Sequence, residues 1–390
     1  MPMQIEPNEK RSKLKYEAVL EDLREAISSG KYPPGQRLPS ELELVKSYGV
    51  SRPTVAHALR DLTQEGLVTR RAGSGTYVRS PSLQTVYVFG LLIPDLGEGE
   101  IIEPVCQGLS QATQFVHHEL LWGRTTPNCP KTTQAQELCA QFIQRKVSGV
   151  FFAPLELTDE KDDVNQRIAR SIDLAGIPIV LIDRDLCPFP KRSKFDLVGI
   201  DNRRAGYVLT EHLLKSGARR IGFFGRPNSA PTLDDRVAGY HEALQQYGAP
   251  SEARFVAWGD PSDRAFVQQL LTDIEPEAFV CGNDRTAAVL MQTLIASGVP
   301  IPEDIKIVGV DNVKWASLLP VPLTTLCQPC REIGTVAVQT MLTRMADPSL
   351  PARTIHLDVE LLVRKSCGTR GDDETRQGEN QREKLAISRN

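Results

Sequence analysis

The chain is 390 residues long, enough for roughly two or three domains, and its 41% hydrophobic and 24% charged residues exclude both a wholly disordered and a collagen-like chain. No apolar run approaches the ~18 residues a membrane helix needs. MPMQIEPNEK lacks the apolar stretch of a secretory signal, so a cytoplasmic protein is expected, and the eight scattered cysteines read as reduced thiols. The net charge of −3 hides an asymmetry, with 13 Lys/Arg against 8 Asp/Glu in residues 10–80 and 33 against 39 in residues 81–390. A small basic module on an acidic body suits a nucleic-acid reader with a regulatory domain behind it.

In chain order, Tyr16, Val19, Leu20, Leu23 and Ile27 recur at helical spacing and predict an amphipathic helix over 14–29. Gly30 and the Pro33-Pro34-Gly35 run end it. Ser40 with Glu43 forms a capping box for a second helix, which reaches Tyr48 and stops at Gly49. Ser51 caps a third helix over 51–65 that carries Val55, Ala58, Leu59 and Leu62. LVTRRAGSGTYVR then predicts a β-hairpin with a glycine-rich tip. Two short helices across a tight turn, followed by a hairpin, make a winged helix-turn-helix. Its third helix is short enough for a DNA major groove. There Ser51, Arg52 and Thr54 face outward, Arg52 is suited to bidentate contact with guanine, and His57 reads as a packing residue. The tip between Arg71 and Thr76 has two glycines, Gly73 and Gly75, which permit close approach to a nucleic-acid backbone.

The segments KYEAVLEDLREAI, PPGQRLPSELEL, SRPTVAHALRDLTQEGLV and GSGTYV, in this order over residues 13–79, resemble the DNA-binding domain of the GntR family of bacterial transcription regulators. The resemblance implies phosphate and base contacts from Lys15, Arg37, Glu41, Ser51, Arg52, Thr54, Gly73, Ser74, Gly75 and Thr76, with Arg71 beside them at the tip. Pro53 departs from the pattern and removes one N–H, which is tolerable in a first helical turn.

SPSLQT, residues 80–85, reads as a linker. Beyond it, apolar strands alternate with helical stretches, from VYVFGLLIP through GVFFAP, IPIVLID, RIGFFG, AFVCG and IKIVGVD to a helix near 331–345. Such alternation predicts parallel α/β sheets, and the length predicts two lobes. Ligands of open parallel sheets sit beyond the carboxyl ends of the strands. Those ends supply Asp95, Asp183, Asn283, Asp284 and Asp311, a donor and acceptor set suited to a polyhydroxylated ligand. Asp183, Asp284 and Asp311 could equally cap the helices that follow.

The segments IPIVLIDRD, VGIDNRRAGYVLTEHLLKSGARRIGFFG, DDRVAGYHEAL, FVCGNDRTAAVLMQTLIASGVPIPEDIKIVGVDN and PLTTLCQPCREIGTVAVQTML resemble the effector-binding domain of lac- and galactose-type repressors over residues 86–364. The resemblance implies the periplasmic sugar-binding fold, with Asp183, Arg236, Asn283, Asp311 and Gln328 facing the ligand and Asp95 in a loop lining the cleft. It also implies three crossovers between lobes, near 198–202, 324–328 and 352–356, which place IHLDVELLVR in the C-terminal lobe. Phe152, Trp258 and Trp315 are the rings available to stack on a sugar, although each reads first as ordinary core or rim packing. Cys327 and Cys330 form a CxxC without a second pair, so no metal is expected. Gly97-Glu98-Gly99 has Ile102 where a dinucleotide fingerprint needs its third glycine, so no nucleotide cofactor is expected either. The polar segment 368–390 is expected to be disordered.

The resulting expectation is an α/β chain with a winged helix-turn-helix at 10–79 and a two-lobed body with parallel sheets at 86–367. Its architecture is like the arabinose-repressor type. The implied function is that of a repressor that binds palindromic double-stranded operator DNA at the nucleoid as a homodimer and is released by a small sugar-like effector. A cleft kept only for dimerisation is the alternative. An aminotransferase-type enzyme fusion is disfavoured because Lys146, Lys215, Lys306 and Lys314 fall on helix surfaces or loops, where no Schiff-base site is apparent.

Overall fold

A computed structural model describes residues 7–64, 66–71, 74–78, 86–93, 101–126 and 128–369. The linker 80–85, Gly73, Asp95, the Gly97-Glu98-Gly99 run and the tail from 370 lie outside these residues. The chain divides into two compact units, Met1–Thr85 and Val86–Asn390.

The first unit opens with α1 (Pro7–Ser28), which starts ahead of the predicted residue 14. Nothing in PNEKRSK breaks a helix once proline occupies the first turn, where its missing N–H is not needed. Next come α2 (Glu41–Tyr48) and α3 (Arg52–Gln64), then the antiparallel hairpin β1 (Val68–Arg71) and β2 (Gly75–Val78). The capping box at the start of α2 is complete: the Glu43 N–H donates to Ser40 Oγ at 3.3 Å and the Ser40 N–H to Glu43 Oε2 at 2.7 Å. Val19, Leu23, Val55, Leu59, Leu62 and Val78 close one small core. Residues 35–38 lie along β2, with the Leu38 N–H donating to Thr76 O at 2.8 Å and the Val78 N–H to Gln36 O at 2.8 Å.

The second unit is doubly wound. Its N-terminal lobe runs β3 (Val88–Leu92), α4 (Ile102–Phe115), β4 (Glu119–Trp122), α5 (Lys131–Gln144), β5 (Gly149–Phe152), α6 (Lys161–Leu174), β6 (Ile179–Ile182) and β7 (Asp196–Ile200). The chain crosses at Asp201 into α7 (Asn202–Lys215), β8 (Ile221–Gly225), α8 (Pro231–Gln246), β9 (Val256–Trp258), α9 (Arg264–Ile274), β10 (Ala278–Cys281), α10 (Asp284–Ala296), β11 (Lys306–Asp311) and β12 (Thr324–Cys327). It returns at Gln328 with α11 (Cys330–Ala346) and β13 (Thr354–Leu357), and crosses a last time to β14 (Glu360–Leu362). The two six-stranded sheets have the orders β4-β3-β5-β6-β7-β13 and β9-β8-β10-β11-β12-β14, and every pair is parallel except β12 with β14.

One expectation is corrected here. IHLDVELLVR is not a single strand of the C-terminal lobe. Ile355–Leu357 pair in parallel with β7, and Glu360–Leu362 pair antiparallel with β12. The third crossover is therefore at Asp358-Val359, beyond the predicted 352–356. Fully buried strands such as Val150–Phe152 and Phe223–Phe224 read as unbroken apolar runs because helices cover both sheet faces. Where α7 packs on α8, Gly206 and Gly239 let the two backbones touch: a Cβ on Gly206 would lie 1.9 Å from Arg236 O. That contact sets the position of Arg236. Among the described residues no helix is long and apolar enough to cross a membrane, and no group of His, Cys, Asp or Glu could hold a metal ion.

Candidate functional site

On the first unit, Arg37, Ser40, Glu41, Arg52, Arg70, Gly75 and Thr76 share one shallow concavity. Glu41, in the first turn of α2, accepts from Arg52 Nε at 3.3 Å through Oε2 and from Arg70 Nη2 through Oε1. One carboxylate thus holds a guanidinium from α3 and another from the hairpin. The Arg52 side chain is still 70% exposed, so it remains presented outward. Gly75 has φ of +122°, and a Cβ there would meet Arg37 Nε at 2.6 Å. Only glycine allows the wing to approach Arg37 this closely. The Ser51 and Thr54 hydroxyls bond each other at 2.7 Å, and Ser74 Oγ meets the Tyr77 hydroxyl at 2.7 Å. His57 stacks on Tyr16 with ring centroids 4.5 Å apart. The side chains of Lys15 and Arg71 lie outside the described residues, as does Gly73.

In the second unit, the carboxyl ends of both sheets face a cavity of about 250 Å³ between the lobes. Asp183, Arg236, Asn283, Asp311 and Gln328 all line it. Asp183 and Asp311 take positive φ, +69° and +125°, a strained conformation for aspartate that turns each strand end toward the cleft. Arg236 is 5% exposed; its Nε donates to Asn202 Oδ1 at 2.9 Å and its Nη1 to the Gly282 carbonyl. Gln328, at the second crossover, donates through Nε2 to Asp311 Oδ1 at 2.7 Å. Burial pushes the Asp311 carboxyl well above the usual carboxylate range, Arg236 opposes this, and the neighbouring Asp284 adds to it.

Two acceptors are left over. Asp183 Oδ1 and Gln328 Oε1 are buried and have no hydrogen-bond partner among the described residues. Buried polar atoms in folded proteins are nearly always paired, and leaving one unpaired costs about 1–3 kcal/mol. Both atoms accept and cannot donate, so they call for a ligand bearing hydroxyl or N–H groups.

One other expectation is corrected. Asp284 does not cap α10, because Asn283 does so, accepting the Thr286 N–H at 2.9 Å. Asp284 is instead fully buried and accepts from Thr325 Oγ1 at 2.6 Å and from the Val313 N–H at 3.1 Å. Among the described residues no aromatic ring lines the cavity. Phe152 is fully buried in the core beneath α5 and α6, Trp315 packs at the edge of the core formed with α9 and α10, and Trp258 ends the edge strand β9 at 40% exposure.

Sequence reading missed Glu156 and Arg184. Arg184 Nη1 pairs with Glu156 Oε1 at 2.6 Å, and its Nε with Asp183 Oδ2 at 2.9 Å. Burial alone would raise the Glu156 carboxyl, but Arg184 brings it below the usual range. Glu156 Oε2 also accepts the Ala230 N–H of the other lobe at 3.2 Å. The Arg184 signal was the second charged residue of the strand end IVLIDRD. Glu156 stands four residues past its strand, too far for strand-end reasoning.

Residues 15–78 match the model of bacterial regulatory proteins of the gntR family, and residues 210–367 match a periplasmic binding protein-like domain. The chain joins a GntR-type DNA-binding domain to a periplasmic-binding-protein-like domain. It is 28% identical over 372 residues to the arabinose metabolism transcriptional repressor of Geobacillus stearothermophilus, covering 90% of this chain and 97% of that one. It is 25% identical to the transcriptional repressor PurR of Photobacterium profundum, with 83% and 97% covered. In fold, the chain superposes on the transcriptional regulator CelR solved with cellobiose at a TM-score of 0.62, with 23% identity and coverage of 81% of this chain and 91% of that one. The relatives it matches are transcriptional repressors and regulators.

Proposed function

We propose that the chain is a ligand-responsive transcriptional repressor whose winged domain grips operator DNA and whose interlobe cleft takes a small polyhydroxylated effector. The observation that carries the effector half is the pair of buried acceptors without a partner among the described residues, Asp183 Oδ1 and Gln328 Oε1. A cleft retained only for dimerisation would be expected to have lost such orphans, since pairing them or replacing them with apolar groups stabilises the fold. The DNA half rests on the Arg37, Glu41, Arg52 and Thr76 surface. Lys15, Ser51, Thr54, Arg71, Gly73, Ser74 and Gly75 join it as proposed contacts, as Asp95, Arg236, Asn283 and Asp311 do in the cleft. One recognition helix reads only a few base pairs, so the active species is a homodimer on a palindromic site.

The mechanism is linkage. Effector binds one lobe arrangement more tightly, and that arrangement binds operator less tightly. A coupling of ~2–3 kcal/mol changes operator affinity by about 30- to 150-fold. The test is a thermal-shift screen of sugars and their derivatives, followed by gel shift on the promoter upstream of the protein's own gene. A ligand that raises the melting midpoint with concentration and releases the DNA is the expected result. Binding of DNA with no response to any polyol would leave a regulator without an effector.

A further inference from the structure

The Cys327-Gln328-Pro329-Cys330 motif stands where the chain passes from one lobe back to the other. Cys327 is the last residue of β12 and lies beside Asp311 of β11 in the C-terminal sheet. Cys330 is the first residue of α11, which packs on α4 of the N-terminal lobe. Both are free thiols, Cys327 half-buried and Cys330 7% exposed. Between them Pro329 has φ of −78° and ψ of 64°, and the Cys330 N–H donates to Gln328 O at 2.8 Å. That is an inverse γ-turn. Four residues folded by such a turn can bring their end Cα atoms within the ~7 Å a disulfide needs. Each cysteine also adjoins the groups that shape the cleft. Cys327 Sγ accepts from Asn312 Nδ2 at 3.4 Å, and Asn312 follows Asp311 in a turn where both take positive φ. Cys330 lies near Asp311 and Asp183, whose charges add to the rise that burial imposes on its thiol. Gln328, between the two cysteines in sequence, donates to Asp311 Oδ1 at 2.7 Å.

We propose that Cys327 and Cys330 form a thiol–disulfide switch: oxidation joins β12 to α11 across the crossover, draws Cys327 from Asn312 and Gln328 from Asp311, and weakens the cleft for its effector. The disulfide stands on the crossover geometry alone, and its consequence for binding rests on the reading of the cleft as the effector site. The oxidant is a low-molecular-weight disulfide. Cys327, the more exposed of the pair, loses its proton and attacks one sulfur of that disulfide; the S–S bond breaks and half of the oxidant leaves as a thiolate, which takes up a proton. Cys330, held as a thiol by its burial, then gives up its proton and attacks Cys327 Sγ, expelling the other half. The two cysteines have lost two electrons and two protons, and the oxidant has become two thiols. The ring closed in this way is short. It gains little by restricting the unfolded chain, so the bond stays open to reduction and acts as a switch more than as a staple.

The test is mass mapping of the full chain equilibrated with glutathione disulfide and then with an excess of reduced glutathione, each sample quenched by alkylation. Trypsin releases residues 315–331 as one peptide, and its cysteines are Cys327 and Cys330 alone. After oxidation this peptide should carry no alkyl group and be two hydrogens lighter than the dithiol; after reduction it should be alkylated at both cysteines. A peptide that keeps both thiols in glutathione disulfide, or that stops at a mixed disulfide with glutathione, would overturn the switch. Calorimetry with ribose, arabinose, glucose and galactose then reads the cleft. Any of these that binds the reduced protein should bind the oxidised protein ten-fold or more weakly, and Cys327→Ala should bind it equally in both buffers. An affinity that ignores oxidation, or a loss that persists in Cys327→Ala, overturns the link from crossover to cleft and leaves the disulfide standing. If the disulfide forms and none of the sugars binds even the reduced chain, it is the effector reading that fails, and the gating role falls with it.

Discussion

Asp311 shows what the cleft costs the ligand-free fold. Its carboxyl is held well above the usual range by burial, with Arg236 opposing and Asp284 adding to the rise. Below about pH 4 the group is protonated in both folded and unfolded chains, and no penalty exists. As pH rises, the unfolded chain ionises first, so stability is lost up to the folded pKa and stays lost at neutral pH. Asp311→Asn keeps an oxygen for Gln328 and removes the charge. The ligand-free melting midpoint should therefore rise at neutral pH, by an amount corresponding to ~1–3 kcal/mol, and the gain should vanish toward pH 4. Effector affinity should fall in the same variant, the usual exchange between stability and function. Parallel melting curves for the two proteins from pH 4 to pH 8 would refute this. At this scale the sequence was informative where chemistry sits directly on a strand end, as at Asp183, Asn283 and Asp311. Arg236 and Gln328 came only through family resemblance, because one lies in a helix and the other at a crossover. Which acceptors lack partners is a property of three-dimensional burial, and no linear pattern encodes it.

At the scale of elements, closure is built from the loops after β5 and β8. The Leu157 N–H donates to Asn228 O at 2.7 Å, Asn228 Nδ2 donates to Asp159, and the Ala230 N–H donates to Glu156 Oε2 at 3.2 Å. Across the cleft, Lys314 Nζ meets Glu103 Oε2 at 3.2 Å, an exposed pair that contributes little by itself. Glu156 differs from these because it also holds Arg184, which orients Asp183. It therefore ties the ligand-facing carboxylate of one lobe to the start of α8 in the other. Glu156→Gln weakens both links, and charge-assisted bonds of this kind are worth ~1.5–3 kcal/mol each. Effector affinity should fall about 10- to 150-fold by calorimetry, and small-angle scattering of the ligand-free variant should report a more open body. Unchanged affinity would mean that Glu156 serves only as a counter-ion for Arg184. The alternation of strands and helices was legible because each buried strand is an uninterrupted apolar run. The split of IHLDVELLVR was not: burial alternates along β13 and on through Glu360, and the chain changes lobe at Asp358-Val359 without a glycine or proline to mark it.

For the whole molecule, the proposed switch requires the two units to trade free energy, and that exchange is reciprocal. If effector weakens operator binding by some factor, operator must weaken effector binding by the same factor. Arg52 is the place to cut the connection. It is outward-facing and held by Glu41, and the bidentate base contact proposed for it would be worth ~1–3 kcal/mol of discrimination. A dimer loses that contact twice, so Arg52→Ala should reduce operator affinity by about 30-fold or more in fluorescence anisotropy. What remains should be a sequence-indifferent, salt-steep component carried by phosphate contacts. Effector binding to the free variant should match the unaltered protein, because the cleft belongs to the other unit. Adding operator at a concentration that saturates the unaltered protein should then shift effector affinity in the unaltered protein and leave it unmoved in the variant. If Arg52→Ala lowers effector affinity without DNA present, Arg52 supports the fold and is no reader. If operator and effector each bind but neither alters the other's affinity, the two units share a chain without sharing a switch.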